Sequence, residues 1–254
     1  MARICAPLLA AALILPGLAA ATEVPGLGPV DPRRPVPFAE PPWNAIALVE
    51  TRPGGRCSGV AIGPRVVLTA AHCLVTTDGR GIVPPGDVAV RLGGAVARGT
   101  ALTVGPGFDA AREEPWRSDW ALVTLAAPIG QGRTLPLLRE APSNGAPLSL
   151  PAWQHDRPDV LLADRGCRVV MVGTFGPQGI LVGHNCAGTV GSSGAPLLLP
   201  VAGGYAIAGV QVKAALGQPL GLAVPAFTIP APAAPEAPAP ASREGRAAPP
   251  PSRR

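Results

Sequence analysis

Between Trp43 and Val224 the apolar residues arrive in short runs separated by breaks that carry Gly or Pro: AIALVE, CSGVAI, VVLTA, DVAVRL, AVARGTALTV, WALVTL, CRVVMVG, GILVGH, APLLLP and YAIAGVQV. Many are rich in β-branched residues and nearly continuous in hydrophobicity, as strands covered on both faces are. No long run carries an apolar stripe with the 3.6-residue period of a helix, and no segment repeats at a fixed interval. The pattern predicts an all-β body of short strands joined by tight connections, of the barrel or sandwich kind.

The flanks read differently. Residues 1–21 place one Arg ahead of an apolar, Ala-rich run that ends in small residues, the pattern of a cleavable export signal. An uncleaved membrane anchor is the alternative, disfavoured by the weak hydropathy and by Pro16; no later segment is apolar enough to span a bilayer. Residues 22–42 are Pro-rich without period and read as an extended leader or pro-segment. Residues 225–254 hold nine prolines and cannot bury enough apolar surface to offset the entropy of ordering, which predicts a disordered Pro/Ala tail. The expected organisation is therefore signal 1–21, leader 22–42, folded domain 43–224 and tail 225–254.

Composition agrees with that division. The 254-residue chain is 47% hydrophobic, enough for a core, yet contains 32 glycines and 34 prolines, too many for a helical bundle. Its net charge of +5 is dispersed. One Arg leaves with the signal, and four Arg against two Glu lie in the tail, so the folded part carries only about +2 with no basic stripe for nucleic acid. Loss of Cys5 with the signal leaves Cys57, Cys73, Cys167 and Cys186, an even set in an exported chain, which predicts two disulfides. A zinc site competes poorly because no C-x-x-C pair is present.

Candidate chemistry starts from three histidines. His155 lies in a polar, Pro-bounded loop and reads as solvated. His184, two residues from Cys186, reads as structural. His72 follows a strongly apolar strand and adjoins Cys73, so its backbone is held on two sides, as a general base requires. The stretch GSSGAP at Gly191–Pro196 offers two serines in a glycine frame, a plain turn if taken alone. Asp119, before an apolar run, reads by itself as a turn or strand-start residue.

Taken in order, LTAAHC at Leu68–Cys73, SDWALVTL at Ser118–Leu125 and GSSGAP at Gly191–Pro196 resemble the chymotrypsin-like (trypsin-like) serine proteases, in particular their exported bacterial branch. The resemblance covers about residues 43–224. It implies two packed antiparallel six-stranded β-barrels with the reactive groups in the cleft between them. It also implies a catalytic set of His72 as base, Asp119 as the carboxylate orienting it and Ser193, directly before Gly194, as nucleophile. Ser192 is then a bystander. The backbone N–H groups of Gly191 and Ser193 would form the oxyanion hole. The resemblance further implies a Cys57–Cys73 bridge, leaving Cys167 and Cys186 for each other.

The chain departs from the family at two places. Ser192 stands where many animal members carry an Asp that pairs with a new N-terminus, and the basic pair Arg33–Arg34 is followed by Pro35, which blocks most tryptic cuts. Activation must then work without that ion pair. Ala187 stands where trypsin-like members hold an Asp in the specificity pocket, and Gln211 where glutamate-specific relatives hold a His. Neither Arg/Lys nor Glu preference is supported. Lys213 is a candidate partner for an acidic side chain but reads first as a solvated lysine. The segment Val212, Lys213 and Ala214 is expected to bind substrate main chain as an added strand.

The expected protein is thus a secreted or periplasmic serine endopeptidase that is monomeric, takes protein or peptide substrates, and needs no metal or organic cofactor. No nucleic acid partner and no stable membrane insertion after signal removal are expected. A binding or adhesion protein that keeps the fold without activity is the rival.

Overall fold

The computed structural model describes residues 23–52 and 54–232; the signal assigned to residues 1–21 and most of the Pro/Ala tail lie outside the described residues. Among the described residues there is no α-helix, only three-residue 3-10 turns, and no helix long and apolar enough to cross a membrane.

Six strands close the first barrel: β2 (Ile46–Thr51), β3 (Gly55–Gly63), β4 (Val66–Thr69), β5 (Val88–Leu92), β6 (Ala95–Val104) and β7 (Ala121–Leu125). Their order around it is β2-β3-β4-β7-β6-β5, and β5 pairs back onto β2. The second comprises β8 (Pro147–Trp153), β9 (Leu161–Thr174), β10 (Ile180–His184), β11 (Pro196–Val201), β12 (Gly204–Ala214) and β13 (Gly221–Pro225). It runs β9-β10-β13-β12-β11-β8 and closes through the β8–β9 pairing, so both barrels are antiparallel and six-stranded, as the resemblance implies. Closure removes the exposed strand edges that would otherwise invite pairing with another chain.

The apolar runs became strands wherever a run was uninterrupted. Two of the barrel strands went unseen in the sequence. In β8, PLSLPAW, Pro147 and Pro151 break the run and each lacks a donor, yet Pro151 is tolerated opposite Ala163. In β13, GLAVP, the run is only five residues between Gly and Pro. Both are needed to close the second barrel.

Burial explains the near-continuous hydrophobicity of the central strands. On β12, Ile207 and Val210 join the first core cluster while Ala208 joins the second. The chain is also ordered on either side of residues 43–224. A two-residue strand β1 (Arg34–Pro35) adds to β9 opposite Leu162 and Ala163, and after Val224 a 3-10 turn, Ala226–Thr228, buries Ala226 and Ile229.

Candidate active site

His72 and Asp119 are brought together by one strand pair. β4 and β7 are neighbours with Thr69 opposite Ala121, so the residue three beyond the end of one and the residue two before the start of the other fall at the same rim of the barrel. His72 begins a 3-10 turn, and Asp119 caps another, Trp116–Ser118. Asp119 is fully buried. Its Oδ1 accepts the backbone N–H of His72 at 2.9 Å and its Oδ2 lies 2.7 Å from the ring Nδ1. An ionised carboxylate can only accept, so Nδ1 carries a proton, and in the neutral ring Nε2 is then the nitrogen left with a lone pair.

Ser193 sits in the loop between β10 and β11. The two serines are told apart by burial: Ser192 is buried, whereas Ser193 is partly exposed. Ser193 and His72 line the same cleft, about 320 Å³ in volume, together with Gly191 and the strand end Val212–Ala214. Ser193 Oγ makes no hydrogen bond among the described residues, and the serine–imidazole contact in unliganded sites commonly tightens only with substrate.

The first barrel holds the serine loop in shape through Ser58, a fully buried residue of β3 that sequence reading passed over as one more strand position. Its backbone N–H donates to Ser193 O at 2.9 Å, and its hydroxyl donates to Gly191 O at 2.9 Å while the Ser58 Oγ itself accepts the Trp153 N–H at 2.9 Å. Gly191 and Gly194 have φ of +94° and +78°. At Gly194 a Cβ would lie 2.3 Å from Ser58 O and 2.9 Å from Ala70 N, so the close approach of the loop to β3 and β4 needs glycine for space as well as for φ. The N–H groups of Gly191 and Ser193 make no hydrogen bond among the described residues and so are free to donate to a ligand oxygen.

The cysteines form the bridges Cys57–Cys73 and Cys167–Cys186. The first ties β3 to the turn that carries His72. Closing a loop of that length stabilises by about 3 kcal/mol in the chain-entropy model.

The remaining positions divide. Gln211, Val212, Lys213 and Ala214 line the cleft; Ala187 is fully buried, its N–H donating to Asp164 Oδ2 at 2.9 Å. The Lys213 ammonium is 3.3 Å from Glu113 and lies over the Trp116 ring at 5.7 Å, so its charge is already matched. His155 is exposed, its Nε2 donating to Arg56 O. His184 is buried: Nδ1 accepts the Cys186 N–H, and Nε2–H donates to Gln211 Oε1 at 2.5 Å. Sequence reading also passed over Gln154, whose Oε1 accepts both the Thr189 N–H at 2.7 Å and the Arg33 guanidinium at 2.6 Å. Nothing local in the sequence marks that triangle, because its members are far apart along the chain.

A family model described as Trypsin matches residues 33–211. A solved structure described as a Glu endopeptidase in complex with MPD shares the fold, with a TM-score of 0.66 and 21% identity over 78% of this chain and 93% of that one.

Proposed function

Since the chain belongs to the trypsin family, we propose that it is an exported serine endopeptidase working through an acyl-enzyme, with His72, Asp119 and Ser193 as its catalytic residues. The observation that carries this reading is the hydrogen-bonded pair of buried Asp119 and His72, facing the cleft that Ser193 also lines.

In this reading Ser193 Oγ attacks the scissile carbonyl carbon while His72 Nε2 takes the hydroxyl proton. Asp119 stabilises the imidazolium that results without taking the proton itself. The carbonyl oxygen becomes an anion, and the Gly191 and Ser193 N–H groups donate to it; losing one such donor typically costs about 3 kcal/mol of transition-state stabilisation. Collapse breaks the C–N bond, and His72 hands its proton to the departing amine. Water then repeats the sequence on the ester, releasing the acid and restoring Ser193. Substrate main chain pairs with Val212–Ala214 as an added strand, which binds without choosing side chains.

The uncharged Ser192 excludes the N-terminal ion pair that shapes the oxyanion turn in many animal relatives. The Ser58 hydrogen bonds to Gly191 O and Ser193 O supply the restraint here. Export through the residue 1–21 signal accords with the two disulfides, which persist in oxidising compartments.

Reaction with a fluorophosphonate probe tests the proposal. One label per folded molecule, lost in Ser193→Ala, is expected, along with cleavage of a mixed peptide library. Folded, disulfide-bonded protein that takes no label would instead identify a non-catalytic binding protein on this fold.

A further inference from the structure

The serine loop and β12 start as bonded neighbours and then diverge. Gly194 N–H donates to Gln211 O at 2.8 Å and Gln211 N–H to Ala195 O at 2.9 Å. From there one wall runs back through Ser193 to Gly188 and the other forward through Val212 to Ala215, and the cleft opens between them. Gly26, from the Pro-rich leader, spans the gap at its far end. Its N–H donates to Ala215 O at 2.7 Å, and its carbonyl accepts the Gly188 N–H at 3.0 Å. Val24 O accepts the Gly217 N–H at 3.2 Å, Pro25 bridges to Leu216, and Pro25 lines the cleft alongside His72 and Ser193.

We infer that Val24–Gly26 is a built-in stop that closes the end of the specificity pocket, so that the enzyme cleaves after small, uncharged residues. This deepens the proposed peptidase reading and rests on it. The segment is fastened at a second point: Arg33, 1% exposed, pairs with Asp31 and Asp156 and donates to Gln154, which in turn holds the Thr189 N–H of the serine-loop wall. Along these two walls no free charge meets an entering side chain; the other cation lining the cleft, Arg56, stands on the β3 side next to Cys57 and donates to Pro158 O. Thr189 and Val190 line the cleft on one side, Val212 and Ala214 on the other, and the Lys213 charge is matched by Glu113. A long side chain would have to displace the Pro25 ring or break both Gly26 hydrogen bonds.

Two changes open the pocket. One removes residues 22–28 and leaves Arg33 in place. The other is Gly26→Val in the chain beginning at Thr22: at φ +71° its Cβ would lie 1.9 Å from Gly188 O, so the segment must leave while the chain stays whole. Each form is titrated with the fluorophosphonate, and kcat/KM per labelled site is measured on matched peptides with Ala, Leu, Phe, Arg or Glu before the cut. The parent should favour Ala over Phe by about tenfold or more, and both altered forms should shift that ratio toward Phe by at least about tenfold at unchanged labelling.

An unchanged ratio in a labelled Gly26→Val protein overturns the inference. So does a parent that is inert toward every peptide while the shortened form cleaves, because the segment is then an inhibitor rather than part of the pocket. Absence of labelling in all folded forms removes the peptidase reading and this inference with it.

Discussion

Protonation of His184 offers a quantitative check on how tightly the floor of the second barrel is built. The imidazole is 1% exposed, with Gly221 packed so closely that a Cβ there would lie 2.6 Å from the ring. Burial pushes its pKa down from 6.5 to about 4, and the hydrogen bond to Gln211 acts in the opposite sense without restoring it. In the unfolded chain the same group takes up its proton near 6.5, so between pH 6.5 and 4 the unfolded state binds more protons than the folded one. The stabilisation is therefore complete above pH 6.5 and is lost progressively as pH falls through that window. With those two values the loss from pH 7 to pH 4 is about 3 kcal/mol, a large share of a domain's margin. Urea denaturation at pH 7, 5.5 and 4, in a Ser193→Ala background to prevent self-digestion, measures it. Carboxylates titrate over the same range, so the readout is the comparison with His184→Gln, which keeps a donor and an acceptor but no titration. The stability difference between parent and variant should move by about 3 kcal/mol in favour of the variant on going from pH 7 to pH 4. A difference that stays constant across the three pH values would refute the burial argument.

Two further outcomes follow from the site geometry. Asp119→Asn should lower kcat by about 10⁴ with little change in KM, because the amide oxygen stays on the His72 backbone N–H and the NH2 group then donates to Nδ1, leaving the ring in the wrong tautomer; steady-state kinetics on one good peptide checks this. Gly194→Ala should abolish fluorophosphonate labelling and lower the thermal midpoint, with ~1–3 kcal/mol from backbone strain before the clash with Ser58 O is added. Gly203→Ala, at φ +83° with open space around it, serves as the control that strains the backbone and leaves labelling intact.

The contrast between those two glycines also measures what could be read in advance. GSSGAP marks a turn, but the choice of Ser193 over Ser192 came from resemblance; the fold adds a difference in exposure, since Ser192 is buried and Ser193 is partly exposed. Both β8 and β13 were hidden because their prolines and short runs carry turn signals, and only the demand of barrel closure makes them strands. Ser58 looked like any strand residue. Its role arises from the serine loop of the other barrel folding against it.

The linear chain determined what depends on neighbours in sequence: short apolar runs between Gly and Pro breaks set the all-β class, and three ordered motifs carried the family and its candidate groups. Tertiary structure decided what depends on partners far along the chain. It set Asp119 against His72 through the β4–β7 pair, Ser58 beneath the serine loop, Arg33 on Gln154, and Gly26 across the end of the cleft. Backbone hydrogen bonds account for this last placement. They can form with any sequence that offers a free N–H and C=O at the right spot, so they leave no signature in residue type, and a Pro-rich leader reads as unstructured until the fold supplies the edge it pairs with.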